Sequence, residues 1–238
     1  MNGNASLVLA SASPRRRRLI GWLGVRAACV AADIPEDVSI PMAPEVLAMS
    51  LAAEKARVAA EALRNVGGPT VPHQARNCGL SHGAGSLIVL AFDTIVVDAG
   101  RILGKPADET EAWEMLEALS GAVHEVVTGV AVLDAGDPIT FAVTTPVLMR
   151  ALDEPIVSAW IARGEYLGCA GAYNIEHHLA SVADDECFQN VAGLPLCHVY
   201  RALASGAGGT IPEGLTSPVA RCDAALGRTC KLGPQVCG

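Results

Sequence analysis

Aromatic residues are scarce: three Trp, three Tyr and three Phe make up 4% of the 238 residues. Charged residues are few as well, at 18%, and their balance is acidic, with a formal net charge of −8. Proteins that bind single-stranded nucleic acid stack bases on aromatic side chains along a basic groove, and this composition supplies neither. No nucleic-acid partner is expected. No uncharged apolar run reaches the ~18 residues that cross a bilayer. The longest uncharged stretch, 78–92, is interrupted by His82, glycines and serines. The short apolar segment near the N-terminus precedes its basic residues, the reverse of a secretory leader. A cytoplasmic location without membrane contact is therefore expected. Two phosphate-binding signatures are missing too: there is no Gly-x-x-x-x-Gly-Lys-Ser/Thr, and no Gly-x-Gly-x-x-Gly follows a strand. Among the eight cysteines, Cys222, Cys230 and Cys237 have spacings that match no standard zinc pattern, and no disulfide framework is suggested. Cys29, Cys78, Cys169, Cys187 and Cys197 are scattered singly and read as small buried hydrophobes.

What is present is a large apolar fraction, 51%, enough for a sizeable core. Strand, turn and helix signals alternate, which indicates an α/β fold. Strands are expected at 7–10, 27–32, 87–98, 124–133 and 139–149, the last two joined by a turn through Gly136-Asp137-Pro138. Helices are expected at 14–23, 44–65, 108–120, 153–162 and 194–204. Ser13-Pro14 reads as N-cap and first helical residue, and Asp108 with Glu111 as a capping-box pair. The segment 66–86 reads as a long glycine-rich loop, an insertion or a functional element. From Ser205 the chain turns to glycine and small residues. A domain over 1–204 and a flexible, dispensable tail over 205–238 are expected, with Cys222, Cys230 and Cys237 in the tail.

Four features carry chemistry. The first is Ser11-Ala12-Ser13-Pro14-Arg15-Arg16-Arg17-Arg18, between a strand and a helix. Cations in a first helical turn oppose the helix dipole, so hydroxyls, free N–H groups and guanidiniums there suggest an anion site. Successive helical residues rotate by about 100°, so the four arginines cannot all face one ligand. The second is Lys55, which falls on the apolar arc of its helix with Leu51, Val58 and Ala62; it must snorkel or meet a buried anion. The third is Asp93, which shares one strand face with Leu87, Val89, Ala91, Ile95 and Val97. A carboxylate in that row needs a cation, a metal or a raised pKa, and each of these marks a candidate site. The fourth is Gly104-Lys105-Pro106, a lysine on a rigid turn after that strand.

Over residues 6–204 these features resemble the Maf family. The matching stretches are LVLASASPRRRRLIGWLGV, LAAEKA, FDTIVVDAGRILGKP, LSGAVHEVVTGVAVL, CAGAYNIE and NVAGLPL, in the family's order. The resemblance implies a mixed, curved sheet flanked by helices, with two lobes around a nucleotide cleft, as in inosine triphosphatase-like folds. It implies a homodimer that hydrolyses nucleoside triphosphates to monophosphate and pyrophosphate. A divalent cation (Mg, Mn or Co) would be the cofactor. Carried over to this chain, Ser11, Ser13, Arg15 and Arg16 hold phosphates, and Glu36 binds metal. Lys55 and Lys105 neutralise phosphate charge. Asp93 is the base that orients the attacking water, or a metal ligand, and Thr94 supports it.

Glu176 stands where pyrimidine-selective members carry glutamine. An ionised carboxylate only accepts hydrogen bonds, which suits the adjacent N1–H and N2–H₂ of guanine. A base of the 7-methylguanine type is the first expectation, with dTTP and UTP as the second. His177-His178 replaces the family's glycine-rich stretch, and 184–187 is an unusual acidic, cysteine-containing segment. The alternative reading is a non-catalytic nucleotide-binding regulator of septum formation.

Overall fold

The run Ser6–Ala10 (β1) is short, apolar and buried along nearly its whole length, as a central parallel strand requires. It pairs in parallel with Ala27–Val30 (β2) on one side and with Leu87–Asp98 (β3) on the other. β3 is twelve residues long, so one of its edges serves two neighbours. Residues 87–91 of β3 pair with β1, and residues 96–98 pair antiparallel with Arg101–Leu103 (β4). Its other edge pairs antiparallel with Val123–Leu133 (β5). Ile139–Met149 (β6) and Ala180–Ser181 (β7) complete a seven-stranded mixed sheet in the order β2-β1-β3-β5-β6-β7. This computed structural model describes residues 6–36, 41–64, 87–134 and 136–238; the expected loop at 66–86, with His73, Cys78 and His82, lies outside them.

Helix Pro44–Arg64 (α2) crosses one face of the sheet and packs on β3 and β5. Its closest approach is at Gly129, where a Cβ would stand 2.1 Å from the Ala48 carbonyl oxygen. Only glycine admits that contact, and it presses the buried Ala52, Ala56 and Ala59 onto Val89 and Ala91. The opposite face carries the larger core, in which Phe92, Leu90 and Ile88 meet Pro14–Ile20 (α1), Glu109–Leu119 (α3), Glu154–Ile161 (α4) and Leu196–Ala204 (α6). A single turn, Phe188–Val191 (α5), precedes α6. The expected strands and helices all form, with ends shifted by a few residues.

The segment after 204 departs from expectation. It forms Val219–Leu226 (α7) and Leu232–Cys237 (α8), which lie on the domain. The backbone N–H of Thr216 donates to the Leu23 carbonyl at 2.8 Å, and Arg221 to the Gly21 carbonyl at 2.7 Å. Arg228 donates to the Val182 carbonyl at 2.8 Å and pairs with Asp184. Cys222 and Val236 are buried. Composition pointed to a flexible appendage because the tail's apolar residues are too few and too widely spaced to show a helical period. They become a face only against the domain.

Candidate active site

β3 leaves an opening in the sheet between the stretch that pairs with β1 and the stretch that pairs with β4. Asp93 and Thr94 lie in that opening, beside the carboxyl end of β1, where Ser11 begins the turn into α1. Crevices beyond the carboxyl ends of parallel strands, at a change of neighbour, are where α/β folds bind ligands. A cleft of about 800 Å³ occupies this point; its lining includes Ser11, Arg15, Lys55, Asp93, Lys105 and Tyr173.

Asp93 is 4% exposed and Lys55 7%. The Lys55 ammonium reaches from α2 to Asp93 Oδ1 at 2.6 Å and to Glu36 Oε1 at 2.7 Å. Lys105 donates to Glu36 Oε2 at 2.7 Å. The two expectations about buried charge therefore meet in one ion pair, extended through Glu36 to the surface. Burial alone would raise the pKa of Glu36, but hydrogen bonds from Lys105 and Lys55 outweigh it and hold the carboxyl at about 2. Lys105 is placed by its turn, since the N–H of Gly171 donates to the Gly104 carbonyl at 3.0 Å. Gly171 has φ +65°, and a Cβ there would stand 2.9 Å from Val96 Cγ2.

The four arginines diverge, as the helical rotation requires. Arg15 reaches Cys169 Sγ at 3.5 Å. Arg16 Nε donates to the Gly193 carbonyl at 2.7 Å, and its Nη2 to Thr94 Oγ1 at 2.9 Å. Arg17 Nε turns back to the Ser11 carbonyl at 3.3 Å, and Arg18 pairs with Glu176. Arg15 is thus the guanidinium left for an anion, while Arg16 also fastens the cleft wall. Ser13 serves mainly as N-cap, its hydroxyl accepting the Arg16 N–H at 3.4 Å. Ser11 Oγ accepts the Ser13 N–H at 3.2 Å.

Glu176, expected to face the base, stands beside the cleft. Its carboxylate is engaged by Arg18, and it is not among the residues lining the cleft. His177 bonds Glu165 at 2.9 Å and packs on Trp160, and neither His177 nor His178 is among the residues lining the cleft, whereas Glu165 is.

Several site residues were not singled out from sequence. Thr128 Oγ1 lies 2.9 Å from Thr94 Oγ1 and 3.2 Å from the Asn190 carbonyl. The fully buried Asn190 donates to the carbonyls of Val126 and Val143 and to Thr145 Oγ1, and so fastens the segment that presents Gly193. Tyr173 lines the cleft and bonds His124 Nε2 at 2.8 Å. Burial holds the His124 pKa down at about 4. A threonine or histidine inside an ordinary β-run gives no sequence signal of this kind. Asn190 and Tyr173 lie within the NVAGLPL and CAGAYNIE stretches but had no local pattern assigning them a task.

The metal question has a chemical answer. The cleft's lining includes four cationic residues, Arg15, Arg16, Lys55 and Lys105, and four acidic ones, Asp33, Glu36, Asp93 and Glu165. Its formal charges cancel, so a bound triphosphate would lack net compensation. Glu36 and Asp93 are hard oxygen donors tied together by a single ammonium. Magnesium binds through one or two carboxylates plus substrate phosphates, so this donor set fits. Among the described residues no group of three or more His, Cys, Asp or Glu is arranged to hold a metal alone.

The sheet, the buried carboxylate–lysine chain and the motif order define one family. The Maf-like protein family matches residues 6–206, and the chain belongs to it. A dTTP/UTP pyrophosphatase of Geobacter sulfurreducens is 41% identical over 201 residues, covering 83% of this chain and 94% of that protein. One of Geobacter metallireducens is 40% identical, covering 85% and 97%. One of Bacillus thuringiensis is 35% identical, covering 83% and 93%. No helix among the described residues is long and apolar enough to cross a membrane.

Proposed function

We propose that this chain hydrolyses the bond between the α- and β-phosphates of dTTP and UTP, releasing the nucleoside monophosphate and pyrophosphate with a divalent cation as cofactor. The observation that carries this reading is the Asp93–Lys55–Glu36–Lys105 chain of charges in the cleft. The names of the relatives support the pyrimidine substrates. The pairing of Glu176 with Arg18, outside the cleft lining, favours the pyrimidine reading over a guanine-type base.

Attack on a phosphoanhydride asks for cations around the equatorial oxygens and a carboxylate that positions water. Arg15 and Lys105 stand at the cleft with part of their donor capacity free; Lys105 is 48% exposed at its side chain. Lys55 fixes Asp93 Oδ1, and Oδ2 has no hydrogen-bond partner among the described residues, which leaves it for the water. Asp93 then orients that water and accepts its proton. A cation bound by Glu36 and Asp93 with the phosphate oxygens would supply Lewis-acid polarisation and offset the charge of the departing pyrophosphate. The chain is further proposed to act as a homodimer, the state implied by the family resemblance.

The test is a side-by-side kcat/KM for dTTP, UTP, GTP and 7-methyl-GTP with magnesium, manganese or cobalt, and with chelator. Pyrophosphate release from dTTP and UTP, abolished by chelator, is expected. A guanine nucleotide winning by tenfold, about 1.4 kcal/mol of transition-state preference, would overturn the base assignment. No pyrophosphate from any of the four would overturn the activity.

A further inference from the structure

The segment 169–176 borders the cleft and is fastened residue by residue. Gly171 donates its N–H to the Gly104 carbonyl at 3.0 Å. Trp160 Nε1 donates to the Ala172 carbonyl at 2.7 Å, and the Tyr173 hydroxyl lies 2.8 Å from His124 Nε2. Asn174 comes next. Its backbone is extended, with φ −122° and ψ 120°, and it caps the short turn Ile175–His177: its Oδ1 accepts the Glu176 N–H at 3.1 Å. Only the amide oxygen can accept from a backbone N–H, so that bond fixes which way round the amide sits. The NH₂ group is left over. It donates to no protein group among the described residues, although Asn174 is only 8% exposed. The buried polar atoms without a partner among the described residues are His124 Nδ1, Gln189 Oε1, Asn190 Oδ1 and His198 Nδ1, so Asn174 Nδ2 is open to solvent. Asn174 lines the cleft, and the cleft is the solvent it meets.

The place of Asn174 along the cleft says which part of a nucleotide it meets. Arg15, in the first turn of α1, reaches Cys169, and Arg18, about one turn further, pairs with Glu176. The segment 169–176 therefore follows α1 away from the turn at Ser11 and Arg15, and Asn174 lies towards its far end. With phosphates at that turn, the base falls beside Asn174. We propose that Asn174 is a specificity residue that reads the base, its NH₂ donating to O4 of uracil or thymine. The assignment rests on the pyrimidine-nucleotide reading of the cleft. Uracil and thymine present a carbonyl oxygen at C4, whereas cytosine presents an amino group there. Two donors set face to face cannot bond, and the NH₂ of Asn174 would then be covered with no partner. The cap and the bonds of its neighbours hold the amide in place before substrate arrives, so little ordering is lost on binding.

The experiment compares full-length Asn174→Asp and Asn174→Ser with the wild type. Asp and Ser also cap helical turns, so each keeps an oxygen for the Glu176 N–H, and Tm should stay within about 2 °C. The quantity read is the ratio of kcat/KM for UTP to that for CTP, in which effects common to both substrates, the added charge of Asp included, cancel. Wild type should favour UTP by at least about tenfold. Asn174→Ser, with no NH₂, should bring the ratio to within about threefold of one. Asn174→Asp, whose second oxygen accepts from the cytosine amino group, should invert it. A wild type without preference for UTP, or ratios unchanged in both variants, would overturn the role of Asn174. Calorimetric Kd values for α,β-methylene analogues of UTP and CTP read the same ratio without turnover. Binding ratios that shift as described in a protein that releases no pyrophosphate would overturn the hydrolytic reading and uphold Asn174; hydrolysis with unshifted ratios would overturn Asn174 alone.

Discussion

The Lys55 ammonium lies 2.6 Å from Asp93 Oδ1, and the two side chains are 9% and 5% exposed. One comes from a helix and the other from a strand, and the two elements also pack through apolar residues, among them Ala52, Ala56, Val89 and Ala91. A pair so placed is expensive to create, and it is broken asymmetrically. Lys55 has a second carboxylate, Glu36 at 2.7 Å, whereas Asp93 has no second cation within a salt bridge among the described residues.

That asymmetry separates two variants. Asp93→Asn leaves Lys55 paired with Glu36, so the fold should survive with little change in Tm. Turnover should fall by at least about 10²-fold, the scale of a lost general base. Lys55→Met strands a buried carboxylate, so it should lose stability as well as turnover, by about 3–5 kcal/mol. Denaturant melts and pyrophosphate-release rates on both proteins decide the matter. Near wild-type turnover in Asp93→Asn would remove Asp93 from the chemistry.

Arg16→Lys should be far from conservative. The guanidinium spans two acceptors, the Gly193 carbonyl and Thr94 Oγ1, and an ammonium cannot hold both in that fork. We expect kcat/KM to drop by roughly 10–100-fold, in the range of one or two charge-assisted hydrogen bonds. Thr128→Val removes the hydroxyl behind Thr94 and should reproduce a milder part of that loss with the same substrate order. Unchanged kinetics in both would mean that the Arg16–Thr94–Thr128 line is only structural.

The elements legible in the sequence are those whose signal is local. Leu87–Asp98 reads as a strand because β-prone residues run unbroken to a turn, and Asp93 stands out against that background. Lys55 stands out on its helix for the same reason. Their meeting was not legible, because it depends on α2 crossing β5 at Gly129, a close approach written in one missing Cβ. The paths of the four arginines were only half legible. Rotation forbade a common target, but the partners Gly193, Thr94 and Cys169 lie 78 to 177 residues away. The pairing of Glu176 with Arg18 was not legible, because Arg18 belongs to the basic run at the other end of the chain and was assigned no role of its own.

Acid should lower stability over two successive pH windows, set by His124 and Glu36. Burial, only partly offset by Asp98, lowers the His124 pKa from 6.5 to about 4. The unfolded state therefore binds a proton that the folded state refuses, and stability falls as pH drops from 6.5 and bottoms out below about 4. Glu36 is also depressed, from 4.5 to about 2, so its contribution is complete above 4.5 and disappears as pH falls towards 2. His124→Gln keeps a hydrogen-bonding group near the Tyr173 hydroxyl without titrating. Its Tm should decline less than that of wild type between pH 6.5 and 4. Parallel Tm curves for the two proteins over that interval would exclude His124 as the cause.

Removing residues 205–238 should reduce stability and spare catalysis. The family match ends at residue 206, and composition alone suggests an appendage that can be cut away. The contacts argue otherwise. Backbone N–H groups of Thr216 and Lys231 donate to the carbonyls of Leu23 and Asp184, and Arg221 and Arg228 donate to the carbonyls of Gly21 and Val182. At about 1 kcal/mol net for each of the four bonds, about 4 kcal/mol is at stake before the burial of Cys222 and Val236 is added. For a chain of this size that is a fall in Tm of roughly 10 °C. The cleft lining contains no residue beyond Gly193, so kcat and KM at 25 °C should stay within about twofold of the full-length values. Differential scanning calorimetry and steady-state kinetics on the truncated protein check both halves. A melt within about 2 °C of the full-length protein would mean that α7 and α8 only rest on the domain; lost activity in a still-folded protein would mean that the tail shapes the cleft through α6.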